Sequence, residues 1–333
     1  MYMARSGARR GVRRGLLVFV LAVLVLVAGA GIAWRLGFGP LPDPEGCSAT
    51  VSGRTVSLST EQAENAALIS AIAVQRGLPA RAASIALATA YQESKIVNIE
   101  HGDRDSLGLF QQRPSQGWGS RDEILNPVYS INTFYDALVQ IDGYESTRIT
   151  EAAQHVQRSG FPEAYEDHAD DARVLASALT GNSQDGQFSC VVRHSLPDES
   201  DTLNKAGLTH RAGVVRRELE AVFGDLPLGG FDPDGVRDGH MPGSAHYEGR
   251  AIDVFVRPIS PVNKKRGWAI AYYLVAQADR LDIDHVIFDK RIWSSGRRSE
   301  QGWRDYDPDT RGRSDATRKV LEHRDHVHVD VVD

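Results

Sequence analysis

Two cysteines, Cys47 and Cys190, are all that this 333-residue chain contains, which excludes a fold scaffolded by disulfides. Basic character is scarce as well: residues 1–35 hold six arginines and no acid, which leaves 32 of the 38 basic residues to face 44 acidic ones. That deficit argues against nucleic acid as a partner. A disordered or collagen-like chain is excluded by composition, because 41% of the residues are hydrophobic and 25% charged. No internal repeat occurs, and no lipobox precedes Cys47, where Pro44, Glu45 and Gly46 stand.

Long apolar runs are limited to one. Residues 16–34 form a stretch of 19 without a charge, and as a helix rising about 1.5 Å per residue it would reach across a bilayer core. Arg5, Arg9, Arg10, Arg13 and Arg14 precede it with no acidic neighbour, so the positive-inside bias leaves the N-terminus in the cytoplasm and residues after 34 outside. A cleaved signal peptide is the competing reading, since Ala28-Gly29-Ala30 offers a small-residue cleavage site; the length of the run favours an uncleaved anchor in the lipid bilayer. Both cysteines lie beyond the span, and in an oxidising compartment they are expected to pair.

Composition and periodicity divide the chain into a basic tail (1–15), the span (16–34), a Gly/Pro/Ser-rich linker (35–55), a mostly helical domain (56–192), a polar linker (193–206) and an α+β domain (207–333). In the helical part Ala63, Ala67, Leu68, Ala71 and Ile72 form one helical stripe after Thr60-Glu61, ended by Gly77 and Pro79. Further helices are expected over 80–93, 127–141, 150–158, 162–179 and 208–223. Strands follow: 251–256, 285–288 and 326–332 carry alternating or branched apolar residues, which predicts a small antiparallel sheet. The polar stretch 294–324 is long for a bare loop and is expected to hold local structure or cover a site.

The chemistry of the α+β part concentrates in two motifs. One is Ser244-Ala-His246-Tyr-Glu-Gly249-Arg-Ala251-Ile-Asp253; the other is Asp325-His326-Val-His328-Val-Asp330. Strand period two puts His326, His328 and Asp330 on one face, and Ala251, Asp253 and Phe255 on one face of their strand. If the two strands are neighbours, Asp253, His328 and His246 offer two imidazoles and one carboxylate, a ligand set that suits catalytic Zn²⁺ with its fourth position open. The pattern Ser-x-His-x-x-Gly-x-Ala-x-Asp with a late His-x-His resembles the zinc peptidases that include D-alanyl-D-alanine carboxypeptidases, their endopeptidase relatives and Hedgehog domains. That resemblance implies zinc ligation by His246, Asp253 and His328, and a base or stabilising role for His326. It also implies that Arg237, upstream of His246, holds the scissile carbonyl oxygen. The Glu-Pro-Trp-His box of the carboxypeptidases is missing, and Asp325 and Glu322 are the reserve bases.

In the helical part, Glu93-Ser94, Gly108-Leu-Phe110-Gln111 and Ala164-Tyr165 together resemble the lysozyme-like lytic transglycosylases. The resemblance implies that Glu93 acts first as acid and then as base on a glycosidic bond, beside Ser94, Gln111 and Tyr165. Two-carboxylate hydrolysis would need a partner, for which Asp103 and Asp105 are candidates, a polar turn being their other role. Trp118 is read either as a sugar platform or as a core residue. Both resemblances point to bacterial peptidoglycan, with glycan cut by one part and peptide by the other. A cell-wall binding or scaffold protein with degenerate sites is the rival reading; metal transport or sensing ranks below both, because one span provides no pathway.

Overall fold

The computed structural model describes residues 44–194 and 202–333. The basic tail, the apolar span 16–34 and much of both linkers lie outside the described residues. Among the described residues no helix is long and apolar enough to cross a membrane. The fold is mixed α/β with two small antiparallel sheets, and residues 45–333 make one compact unit.

The chain enters as a hairpin, β1 (Gly46–Val51) and β2 (Arg54–Leu58), and β1 also pairs antiparallel with β3 (Phe188–Val191). The sequence reads this entry as tether, and the structure corrects it. Residue alternation is present, with Cys47 and Ala49 inward, but the side chains are too small to register as an apolar period. In the β1–β3 register Cys47 faces Cys190, and the two are joined as a disulfide. The expected pairing is therefore the observed one.

Between β2 and β3 run the helices. α1 (Thr60–Gln75) starts at Ser59, whose side chain accepts from the Gln62 backbone while Gln62 reaches back, a capping box. It buries Ala63, Ala67, Ala71 and Ile72 along the expected stripe. α2 (Ala80–Ser94) is buried from Ala82 to Ala90 and delivers Glu93 at its end. α3 (Arg121–Leu125), α4 (Pro127–Leu138), α5 (Ile149–Gln157) and α6 (Ala169–Leu179) follow. The helix expected over 162–179 is broken: residues Ala164–His168 form a 3-10 turn before α6. That turn carries Tyr165 inward.

The second part begins with α7 (His210–Phe223), capped by Thr209. Its sheet has six strands in the order β4-β5-β9-β6-β7-β8. These are β4 (Leu228–Gly229), β5 (Ala251–Phe255), β6 (Ile283–Phe288), β7 (Arg291–Ser294), β8 (Arg304–Asp305) and β9 (His326–Val331). One face of β9 sends Val327, Val329 and Val331 into the core. Against it lies α8 (Pro261–Ala276), which the sequence reading misses: every residue from Gly267 to Ala276 is buried, so no polar face marks it as a helix. α8 packs on α1 and on β6. Full burial of side chains such as Ile270 and Leu274 contributes roughly 1.5–3 kcal/mol each.

The two parts share this core and exchange hydrogen bonds, two of them buried. Trp293 Nε1 donates to the Cys190 carbonyl at 3.0 Å, Trp303 Nε1 to the Phe188 carbonyl at 2.8 Å, and Gln277 Nε2 to the Glu64 carbonyl at 3.0 Å. The stretch 294–324 does hold local structure: a 3-10 helix Gly296–Gln301 and α9 (Asp315–Leu321).

Candidate metal centre

β5 and β9 are antiparallel neighbours in a register that sets Asp253 opposite His328 and Phe255 opposite His326. A 3-10 turn, Ala245–Glu248, precedes β5 and swings His246 over the sheet. The three side chains converge, all buried. His246 Nε2 lies 3.1 Å from His328 Nδ1 and 3.2 Å from Asp253 Oδ1, and His328 Nδ1 lies 3.2 Å from the same oxygen. Tetrahedral Zn²⁺ with bonds of about 2.0–2.1 Å sets its ligand atoms roughly 3.3 Å apart. The three spacings are near-equal and close to that distance, so these residues could hold one ion.

Each imidazole is held so that the correct nitrogen faces this point. His246 Nδ1–H donates to the Gly230 carbonyl at 2.6 Å, which turns Nε2 inward. Gly230 is obligatory there: it has φ +80°, and a Cβ would stand 2.3 Å from the His246 ring. His328 donates Nε2–H to Asp330 Oδ2 at 3.1 Å, which turns Nδ1 toward Asp253 and His246, and Asp330 Oδ1 accepts from His285 Nδ1 at 2.9 Å. Burial depresses the His328 imidazole, but its hydrogen bonds to Asp253 and Asp330 outweigh it and push the pKa up to about 9. Burial raises the Asp253 carboxyl, and the bonds to His246 and His328 overcome that, holding it well below the usual carboxylate range.

His326 stands at the edge of the triangle. Its Nδ1–H donates to Asp325 Oδ1 at 2.8 Å, and Asp325 accepts from Arg257 Nε at 2.7 Å, so Nε2 faces Asp253 Oδ1 at 3.7 Å. The reserve bases are engaged elsewhere: Asp325 in this chain, and Glu322 in an ion pair with Arg324 at 2.5 Å. Arg237 is exposed and makes no hydrogen bond or ion pair among the described residues. The arginines that line the cavity are Arg250, Arg257 and Arg313 instead.

The cavity over the triangle measures about 770 Å³. Thr317, Val320 and Leu321 of α9 and its flank form one wall, so the stretch 294–324 covers the site as expected. Three further histidines line it that the sequence reading leaves unassigned, His240, His285 and His323. His323 packs its ring against His326 at 4.5 Å between centroids. His240 stacks on His246 at 3.9 Å, and a ring nitrogen of each lies within 4.8 Å of an Asp253 oxygen. Asp284, His285 and Asp330 form a second such group. The signal of His240, His285 and His323 was their number, since none of them belongs to either motif.

In the helical part, Tyr165 Oη donates to Glu93 Oε1 at 2.7 Å. Tyr165 is fully buried, and burial pushes its hydroxyl well up, so it remains a donor. Ser94 Oγ donates to the Leu109 carbonyl at 2.8 Å and so ties the end of α2 to the 108–112 segment. Gln111 Nε2 donates to the His101 and Gly108 carbonyls, both at 3.3 Å, which makes it a loop tie here. Asp105 is engaged by Arg113 and Ser115, Asp103 is exposed, and Trp118 is half-buried against the core.

No curated protein matches this chain. A family model described as "VldE, C-terminal domain" is similar to residues 204–320, a segment that includes His240, His246 and Asp253 and stops short of His326 and His328.

Proposed function

We propose that this chain is a metal-dependent hydrolase of bacterial peptidoglycan, with residues 207–333 cleaving a stem or cross-bridge peptide and Glu93 acting on the glycan strand. The observation that supports it most is the triangle of His246, Asp253 and His328, with atoms 3.1–3.2 Å apart and both imidazoles oriented from behind. When bound, Zn²⁺ supplies a Lewis acid for the scissile carbonyl and lowers the pKa of water. His326, oriented by Asp325 and Arg257, presents Nε2 to the cavity and holds or relays a proton there. In the helical part Glu93 donates a proton to the glycosidic oxygen as the C–O bond breaks and then accepts one from the attacking sugar hydroxyl or water, while Tyr165 fixes Oε1. The reading sets both parts outside the membrane, anchored by residues 16–34, a compartment that the Cys47–Cys190 disulfide suits.

A wall-binding protein without turnover is the second reading. It is favoured by one observation, that Asp325 and Glu322 are both engaged by arginines. The two are separated by digesting purified sacculi with wild type, Glu93→Gln and His246→Ala and reading the products by mass spectrometry. Hydrolysis predicts new peptide termini lost with His246→Ala and new sugar ends lost with Glu93→Gln. Identical product spectra for all three would leave binding alone.

A further inference from the structure

We propose that His240 is a fourth, exchangeable ligand of this metal centre. The inference rests on the metal reading above and adds a residue that neither motif contains. His240 belongs to the loop between β4 and the turn at Ala245–Glu248 and lines the cavity. Its ring lies nearly parallel to that of His246, 3.9 Å away and tilted by 29°.

The backbone of His240 is pinned, while its side chain is not. Tyr247 Oη accepts from the His240 amide at 3.2 Å and donates to the His240 carbonyl at 2.8 Å. Among the described residues the imidazole itself makes no hydrogen bond, unlike those of His246, His285, His323, His326 and His328. A half-buried imidazole with both nitrogens unengaged, at the mouth of a ligand triangle, has the lone pair and the freedom that a ligand needs.

Distance sets the mode. The nitrogen of His240 lies within 4.8 Å of its His246 and Asp253 counterparts, against roughly 3.3 Å between ligands of a tetrahedral ion. With the backbone held by Tyr247, closing that difference falls to rotation about the His240 side-chain bonds. His240 then closes the position that a substrate oxygen must take, and a substrate or small ligand has to displace it. The open, three-ligand site and the closed, four-ligand site are two states of one side chain, so a ligand that competes with His240 loses affinity by the closed fraction.

The test uses the full chain loaded with Co²⁺. Visible absorption of wild type is compared with that of His240→Ala and Tyr247→Phe, and acetohydroxamate is titrated into each. The expected result is a changed, weaker d–d band in His240→Ala and hydroxamate binding tighter by about tenfold, the competing ligand having gone. Tyr247→Phe, which keeps the imidazole but frees its backbone, shifts the band in the same direction. Superimposable spectra with equal hydroxamate affinity in wild type and His240→Ala overturn the inference and leave the three-ligand centre standing. A wild-type chain that takes up no Co²⁺ overturns the metal reading itself, a result of a different kind.

Discussion

Asp253 and His328, 75 residues apart in the chain, face each other across the β5–β9 pair with Oδ1 and Nδ1 3.2 Å apart. Cross-strand neighbours on one face bring their Cβ atoms within about 4.5–5.5 Å. An antiparallel register thus does by itself what a loop would need several anchors to do. The remaining precision comes from behind the ligands.

Asp330→Asn tests that support. The carboxylate accepts from His328 Nε2 and from His285, so its loss frees the His328 ring to expose the wrong nitrogen. If the proposed centre binds metal, affinity for added Zn²⁺, measured by chelator competition, drops by about 10–100-fold with the fold retained. An unchanged affinity means that the strand alone orients His328.

Gly230→Ala and His326→Ala are expected to differ. The added methyl has no room beside the His246 ring and requires φ +80° of a residue that disfavours it, so metal content should fall below one equivalent. His326→Ala removes no member of the triangle and should retain the ion while losing turnover. Metal analysis of the two purified variants decides; loss of the ion in His326→Ala would place that histidine among the ligands.

Tyr165→Phe deletes the hydroxyl that donates to Glu93 at 2.7 Å. A bond to a carboxylate is worth about 1.5–3 kcal/mol when well made, so a modest fall in urea midpoint is expected, together with slower release of glycan fragments from sacculi. Full glycan release by Tyr165→Phe would remove Tyr165 from any catalytic arrangement.

Cys190→Ala opens a loop closed over a separation of 143 residues. By chain entropy alone the loss is at most about 5 kcal/mol. Thermal unfolding of the variant should resemble that of reduced wild type. Coincidence of the oxidised and reduced wild-type transitions would show that the β1–β3 pairing is sufficient without the bond.

Asp105 carries a pH dependence of known sign. Bonds from the Ser115 side chain and backbone and from Arg113 hold its carboxyl well below the usual carboxylate range. The unfolded group titrates near 3.9, so this stabilisation is complete above about pH 4 and is lost as the pH falls below that value. Asp105→Asn should lower the urea midpoint near pH 7, with the gap to wild type narrowing by about pH 3. A gap that stays constant would assign the effect to something other than ionisation.

Sequence alone determined the residue types of the candidate site, the alternation that sets His326, His328 and Asp330 on one face, the helical stripe of α1 and the pairing of the only two cysteines. These are local or combinatorial properties, readable from period, spacing and count. Only the tertiary structure decided the rest. α8 is buried on every side from Gly267 to Ala276, so no periodicity announces it; β1 alternates residues too small to register; His240, Gly230 and His285 reach the cavity through loop path and strand order, which no short window contains. Above all, the coincidence of Asp253 with His328 is a matter of register between distant strands, and register is set by which faces the whole core buries.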